Sequence, residues 1–220
     1  MFTLVVPFHS DFERLARVLA AADEARVHGI EEILFCHNGP SAIPQLRLPP
    51  HGRLLHTDAK GIGAGYRLGI KNATEPYVVL SASDLPFGFT DIDAFRGHRL
   101  AIGSKAHPRT QLPGYGVLRR AATRTFWLVR RAILGKSTPK DSQGTILIET
   151  ALAKRMVDRV EADDYFFSLE LVTLCIRQEG VNAVELPVRY VPADDPSSVN
   201  LVSDTIEMVR KTWRLRRRLR

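Results

Sequence analysis

The sequence of 220 residues has few of the features that mark secreted, zinc-binding or membrane-spanning proteins. It contains only two cysteines, Cys36 and Cys175, each inside an apolar run. This placement predicts buried thiols in a reducing compartment, not a disulfide framework or a zinc site. No stretch approaches the roughly 18 uninterrupted apolar residues that a transmembrane helix needs. The apolar run at the N-terminus is cut by Pro7 and has no basic lead, so we interpret it as a strand and not a signal peptide.

Acidic residues are missing from the C-terminus. The last eleven residues, Arg210–Arg220, carry seven Lys or Arg and no acid, so they account for the whole net charge of +7. Because the rest of the chain is then near neutral, we expect no nucleic-acid partner. Trp213, Leu215 and Leu219 lie among these cations, a composition that suits an interfacial helix on an anionic membrane surface. A solvated terminus is the alternative.

The chain shows no internal repeat and alternates short β-rich runs with amphipathic helical stretches. This order predicts an α/β fold with a mostly parallel sheet flanked by helices. The expected strands are Thr3–Pro7, Glu32–Cys36, Arg53–His56, Tyr77–Ser81, Leu100–Ser104, Thr145–Ile148 and Ala183–Tyr190. The expected helices are Asp11–Arg26, Gly65–Asn72, Leu118–Leu134, Glu149–Val160, Phe167–Gln178 and a last one from about Val199. We therefore divide the chain into one domain, 1–198, and a basic amphipathic C-terminal helix, 199–220.

Polar, turn-forming clusters follow the first four predicted strands. They are Pro7–Asp11, His37–Gly39, Asp58–Ala64 and Ser83–Asp84. In an open α/β sheet ligands bind beyond the carboxyl ends of the strands, so the four clusters predict a nucleotide pocket. The glycine-rich Lys60–Gly65 opens a helix, and its amides and Lys60 can face a diphosphate. It lacks the spacing of the dinucleotide fingerprint, so a plain glycine turn into a helix is its other interpretation.

Eight short motifs follow one another along nearly the whole chain. They are Val5–Asp11, Cys36–Pro40, Gly61–Gly65, Ala82–Leu85, Ile102–Lys105, Asp141–Gly144, Phe167–Leu171 and Glu185–Tyr190. In this order they resemble the motifs of the inverting family 2 glycosyltransferases, above all the dolichyl- and polyprenyl-phosphate glycosyltransferases. The resemblance implies the GT-A fold, a single Rossmann-like and mostly parallel sheet flanked by helices.

The resemblance implies a donor site for a UDP- or GDP-sugar, whose sugar is transferred with inversion. The implied nucleotide-sugar-binding residues are Pro7, His9, Asp11, His37, Asn38, Gly61, Gly63, Ser83 and Asp84. Asp84 would also be catalytic and would hold Mg²⁺ or Mn²⁺. Ala82 replaces the first carboxylate of the metal motif, so metal binding would be weaker, since these hard cations prefer several oxygen ligands. His37 has a second interpretation as a structural turn histidine, and Asp11 as a helix cap.

On the acceptor side the resemblance implies a phosphate held by basic residues, here Lys105, Arg119 and Thr123. A phosphate acceptor is already ionised and needs no base. The basic residues that hold it, Lys105 and Arg119, are therefore also catalytic candidates. Gln143 and Glu170 complete the implied acceptor site, although Glu170 is equally suited to holding a loop or capping its helix. The implied acceptor is a polyprenyl phosphate or a similar phosphorylated molecule. Arg130 and Arg131, on the same predicted helix, are interpreted as a solvated face.

Two other functions fit the same sequence. The first keeps the donor but takes a hydroxyl acceptor, with Asp163 or Asp164 as the general base. Ser168 favours it, because lipid-phosphate enzymes have aspartate there. The second is a non-catalytic nucleotide-sugar-binding protein on a degenerate transferase scaffold, which Ala82, His37 and Ser168 favour. For all three we expect a cytoplasmic protein, either free or peripheral on the inner membrane face.

Overall fold

The computed structural model describes most of the chain. The described residues are 1–10, 12–40, 42–43, 45–83, 85, 88–112, 117–142, 144–189 and 201–220. Within them the side chains of residues 90, 117–120, 122 and 201–205 are left out of the description.

A seven-stranded sheet forms the centre of the molecule. Its strands are β1 (Phe2–Phe8), β2 (Ile30–Asn38), β3 (Gly52–Thr57), β4 (Tyr77–Leu80), β5 (Leu100–Gly103), β6 (Ile146–Glu149) and β7 (Val184–Leu186). The strand order is β3-β2-β1-β4-β6-β5-β7. Only β6 runs against its neighbours, pairing antiparallel with both β4 and β5. The predicted α/β fold, with a mostly parallel sheet flanked by helices, is confirmed.

Seven α-helices accompany the sheet in the described part of the chain. They are α1 (Phe12–Ala20), α2 (Ala22–Val27), α3 (Ile62–Asn72), α4 (Val117–Leu134), α5 (Thr150–Val157), α6 (Phe166–Glu179) and α7 (Leu201–Arg218). The single first helix expected from the sequence is wrong, because it is divided at Ala21 into α1 and α2. A 3₁₀ helix over Thr90–Phe95 was not expected at all.

The two faces of the sheet bury separate apolar clusters. Side chains of β1 alternate between them: Val5 belongs to the cluster under α3, α5 and α6, whereas Leu4 and Val6 belong to the cluster under α1 and the 3₁₀ helix. This period of two is what a strand covered on both faces requires. Gly69 lets α3 lie directly against Val5, since a methyl group there would overlap the valine side chain.

Both cysteines are fully buried thiols without a disulfide. Burial raises the pKa of the Cys36 thiol, and it raises the pKa of Cys175 to about 12. The thiolate is therefore scarce at neutral pH, and neither sulfur is a nucleophile or a metal ligand.

The C-terminal helix α7 packs against α4 and α6. Leu215 is buried beside Ile133 and Leu169, and Leu219 packs partly buried against the same side. Their expected place on a lipid-facing surface is therefore wrong. Trp213 instead remains half exposed. No helix in the described residues is both long and apolar enough to cross a membrane.

Candidate active site

The carboxyl ends of four parallel strands lie side by side at one edge of the sheet. β3, β2, β1 and β4 are consecutive neighbours, so the polar segments that follow them share this edge. His9, directly after β1, is exposed and stands over Gly39, where a methyl group would meet its ring at 2.7 Å. Pro7 is buried and closely approached by Gly65 of α3, so its role is packing.

Three histidines from neighbouring strand ends form a chain of hydrogen bonds. The His9 Nδ1–H donates to the carbonyl of Asn38 at 2.7 Å. The His37 Nε2–H donates to the carbonyl of His9 at 3.1 Å, and the Nδ1 atoms of His37 and His56 lie 2.9 Å apart. His56 Nε2 lies 3.2 Å from a carboxylate oxygen of Asp58.

His37 itself is fully buried, with both ring nitrogens bonded. Burial lowers the pKa of His37, and the neighbouring His56 imidazole lowers it further. His37 therefore has no free ring nitrogen for a nucleotide. Its hydrogen bond to the carbonyl of His9 holds the loop after β1 in place at this edge. The structural interpretation fits its environment better than direct nucleotide contact.

The glycine turn before α3 is packed against a second loop. Gly61 has φ +101°, and a methyl group there would overlap the carbonyl of Asp163. The Gly63 amide donates to the same carbonyl at 2.8 Å. This amide is therefore engaged within the protein and is not directed at a diphosphate. Lys60 is exposed and lines the cavity beside the turn.

Several predicted site residues fall outside the described part of the chain. Asp11, Asp84 and Gln143 lie outside the described residues, and the side chain of Arg119 is not described either. Ser83 is described and half-buried in the turn after β4. Among the described residues no group of three or more His, Cys, Asp or Glu side chains could hold a metal ion. These residues alone do not supply a metal site.

Asp163 and Asp164, the two candidate bases, are each paired with a cation. Asp163 accepts a hydrogen bond from Arg67 at 3.0 Å, and Asp164 forms an ion pair with Lys211 of α7. Asp164 also accepts the Phe166 amide at 2.9 Å, at the start of α6. Burial acts to lower the pKa of Lys211, but the hydrogen bonds that it donates to Asp164 and Glu207 outweigh this effect, so the pKa is raised.

A cavity of about 400 Å³, the mixed-charge cavity, lies between this loop and α7. It is lined by Lys60, Gly61, Glu161, Ala162, Asp163, Asp164, Phe166, Glu170, Lys211, Arg214, Leu215 and Arg218. Glu170 is 2% exposed and accepts the amides of Glu161 and Ala162 at 3.2 and 3.1 Å. It therefore holds the loop, one of the two roles expected for it, and does not meet Lys105 or Thr123.

A second cavity, the basic pocket, has a volume of about 530 Å³ and lies beside α4. Its described lining residues include three cations and no carboxylate: Lys105, Ala106, His107, Pro108, Thr110, Leu112, Thr123, Arg124, Trp127 and Lys140. Lys105 follows β5 and Lys140 precedes the antiparallel β6, so both lie at the carboxyl edge of the sheet. The structure thus places Lys105 and Thr123, two of the predicted acceptor-binding residues, in the lining of one pocket.

Two residues near the basic pocket were not expected from the sequence. The indole nitrogen of Trp127 is buried and has no hydrogen-bond partner. Arg130, interpreted above as a solvated residue, is 3% exposed and donates to Ser142 Oγ at 2.7 Å and the Lys140 carbonyl at 2.8 Å. That interpretation is wrong because Arg130 lies on the inner side of α4, over the ring of Phe126. Arg131 is exposed, as expected, with its guanidinium over Trp127.

The strand order and the helices on both faces define a class of fold, the α/β proteins with a mostly parallel sheet of the GT-A type. No protein-family model and no curated protein sequence matches the chain. Solved structures do match over the whole chain. A mycobacterial protein superimposes with a TM-score of 0.68 at 14% identity, covering 98% of this chain and 73% of that one.

Other similar structures include those of glucosyl-3-phosphoglycerate synthase from Mycobacterium tuberculosis. Its complex with uridine diphosphate matches with a TM-score of 0.64 at 12% identity, covering 100% of this chain and 79% of that one. Its complex with Mn²⁺, UDP-glucose and phosphoglyceric acid matches with a TM-score of 0.65 at 13% identity, covering 98% and 78%. At this identity the likeness establishes the shared fold.

Proposed function

We propose that the protein is a glycosyltransferase that moves a sugar from a nucleoside-diphosphate sugar to a phosphorylated acceptor. The observation that carries this proposal is the basic pocket, with three cations and no carboxylate among its described lining residues, at the same sheet edge as the predicted donor clusters. β5 is three strands from β1, so at about 4.8 Å per strand the two regions are about 14 Å apart. The similar structures, which hold UDP and phosphoglyceric acid, support the same arrangement of one site for the donor and a second site for the acceptor.

The donor lies along the ends of β1 to β4 in this proposal. The exposed His9, the buried Asn38 and the Lys60–Gly61 turn surround it, with Ser83 at its diphosphate end. A divalent cation, Mg²⁺ or Mn²⁺, held by Asp84 and the diphosphate oxygens would neutralise charge that develops on the leaving nucleotide. The Mn²⁺ in the complexes of the similar enzyme supports this choice. Transfer with inversion, by direct displacement, is part of the same proposal.

The acceptor's phosphate lies in the basic pocket, beside Lys105, Thr123 and Arg124. A phosphate is ionised near neutral pH and needs no general base, which agrees with the ion pairs that engage both Asp163 and Asp164. The phosphoglyceric acid in the similar structures supports a phosphorylated acceptor, and in this proposal the oxygen that accepts the sugar belongs to the phosphate. Ionised phosphate next to three cations also gains electrostatic stabilisation.

A panel of UDP-, GDP- and TDP-sugars with and without Mn²⁺ tests the donor, with 3-phosphoglycerate, glycerol 3-phosphate and a polyprenyl phosphate as acceptors. We expect turnover with a phosphorylated acceptor, loss of turnover on Asp84→Ala, and a raised acceptor KM on Lys105→Ala. NMR of the anomeric proton in the product tests inversion. If no nucleotide sugar binds or is hydrolysed under any condition, the proposal is wrong. Donor binding without transfer supports a non-catalytic binding protein instead.

The outer side of α7 favours a peripheral location on an anionic membrane surface, which we add to the proposal. Ile206 and Trp213 are each 52% exposed and, with Arg210 and Arg217, share one side of the helix by their spacing. Each basic residue near such a surface contributes roughly 1 kcal/mol. Binding to phosphatidylcholine vesicles should require added phosphatidylserine and weaken with salt. Arg210→Gln with Arg217→Gln should abolish it, whereas Arg26→Gln with Lys71→Gln should not.

A further inference from the structure

Arg130 is a buried cation that no carboxylate contacts among the described hydrogen bonds and ion pairs. Its guanidinium donates to Ser142 Oγ and to the carbonyl of Lys140, while its Nε is buried without a hydrogen-bond partner. Burial lowers the pKa of Arg130, and the charges of Asp141 and Glu185 act in the opposite direction. A buried guanidinium is costly unless its surroundings compensate for the lost water.

The compensation comes from two carboxylates that hold neighbouring backbone. Asp141, 4% exposed, accepts the amides of Lys105 at 2.9 Å and Ser142 at 2.8 Å. Glu185, in β7, accepts the amides of Lys140 at 3.0 Å and Asp141 at 3.1 Å. Arg130 and the two acids thus enclose the segment that leads into β6 from both sides.

Two lysines that line the basic pocket, Lys140 and Lys105, are held in place by these contacts. Lys140 is fixed at its amide by Glu185 and at its carbonyl by Arg130. Lys105 is fixed at its amide by Asp141, and its Nζ lies 3.9 Å from the same carboxylate. Arg130 also shares one face of α4 with Thr123 and Trp127, at spacings of four and three residues, so the helix wall and the segment meet through it.

We infer that Arg130 is a positioning residue for anion binding, holding Lys140 and Lys105 in the basic pocket without contacting the bound molecule. A well-packed apolar residue in place of a buried ionic group is often as stable or more stable, so fold stability alone does not account for the arginine. The inference rests on the proposed function for the identity of the ligand, a phosphorylated acceptor. The binding of a compact phosphate anion in the basic pocket can be tested without measuring sugar transfer.

The experiment uses the two tryptophans of the chain. In a Trp213→Phe background the only remaining tryptophan is Trp127, which lines the basic pocket, so its fluorescence reports binding there. Inorganic phosphate and 3-phosphoglycerate are titrated into this protein and into its Arg130→Met, Arg130→Lys and Ser142→Ala versions. Urea unfolding and UDP binding are measured on each variant as controls for the fold and for the donor site.

We expect Arg130→Met to weaken binding of both anions at least tenfold, Ser142→Ala to weaken it about threefold, and Arg130→Lys to recover part of the loss. UDP binding should be unchanged in all of them, and the KM for the acceptor should rise with little change in kcat. Should Arg130→Met fail to fold, Ser142→Ala and Arg130→Lys carry the same comparison. Wild-type anion binding in folded variants overturns the inference, as does the absence of anion binding in the parent protein.

The two proposals fail in different ways. If the parent protein binds phosphate in an Arg130-dependent manner but transfers no sugar from any donor, the proposed function falls and the positioning role stands. If sugar is transferred and the acceptor KM does not depend on Arg130, the positioning role falls and the function stands.

Discussion

The Nδ1 atoms of His37 and His56 lie 2.9 Å apart, so one imidazole donates a hydrogen bond to the other. The carbonyl of His9 can only accept, so His37 must donate from Nε2. The other ring nitrogen of His56, Nε2, lies 3.2 Å from a carboxylate oxygen of Asp58. Burial lowers the pKa of His37, and the neighbouring His56 imidazole lowers it further, so this arrangement favours the neutral form of His37.

This arrangement predicts a pH dependence of stability. The folded-state pKa of His37 is lowered, so the unfolded chain takes up a proton there first as the pH falls. The contribution of His37 to the free energy of unfolding should be fully present above about pH 6.5. Below that pH the free energy of unfolding should decrease, by at most about 1.4 kcal/mol per pH unit from this residue. Urea unfolding between about pH 5 and pH 8 measures the slope.

His56→Gln is the matched variant for that measurement. Glutamine can still donate an N–H to His37 Nδ1, but it removes the neighbouring imidazole that lowers the pKa of His37. The pKa of His37 in an NMR titration should rise and the slope should flatten. Identical titrations in the parent and the variant would show that His56 does not lower the pKa of His37.

Trp127→Phe should weaken acceptor binding without disturbing the fold. The substitution keeps the ring that Arg131 covers and removes the buried N–H that has no partner. One hydrogen bond contributes about 1 kcal/mol, so we expect an acceptor KM about fivefold higher, with an unchanged KM for the donor. The free energy of unfolding should stay equal or rise, because an unpaired buried donor is lost. An unchanged acceptor KM would show that the indole does not meet the ligand.

Asp163→Asn and Asp164→Asn distinguish a phosphate acceptor from a hydroxyl acceptor. Each carboxylate is engaged by a cation, Arg67 or Lys211, and a phosphate acceptor needs no base. We expect kcat to stay within about threefold of the parent enzyme for both variants, since removing a general base typically costs a hundredfold or more. A loss of that larger size in either variant supports the hydroxyl acceptor. Circular dichroism on both proteins serves as the fold control.

Gly61→Ala should be strongly destabilising. The residue combines a φ of +101° with direct contact to the carbonyl of Asp163, so a methyl group displaces the loop of the two aspartates. Gly180, with φ +65° and open space around it, is the matched control for backbone strain alone. We expect Gly180→Ala to cost about 1 kcal/mol and Gly61→Ala about 2 kcal/mol more. Equal losses of the free energy of unfolding in the two variants, measured with urea, would contradict a packing role for Gly61.

Much of the fold was predictable because the strands are short apolar runs bounded by turn residues. β1, β2 and β3 were each predicted to within two residues of their observed ends, since each is a short run bounded by turn residues. The antiparallel direction of β6 was not predictable, because a buried run of four residues has no pattern that depends on direction. The break at Ala21 has no proline or glycine to mark it.

The site was predictable where it depends on strand ends and unpredictable where it depends on tertiary packing. Lys105, which follows a predicted strand, and Thr123, which lies in a predicted helix, could be named from the sequence, and both line the basic pocket. Lys140 and His107 lie in loops that carry no periodic pattern. Arg130 could have been found, since it lies four residues after Phe126 and three before Ile133, on the apolar side of α4.

The burial of Cys36 and Cys175 has a practical consequence for spectroscopy. Both sulfurs are shielded and largely protonated at neutral pH, so maleimide or nitroxide reagents will modify the native protein slowly. A single cysteine introduced at the exposed Ile206 would then be the one fast-reacting thiol, without any prior removal of the native ones. Dyes or spin labels placed there could follow the distance between α7 and a lipid surface in real time.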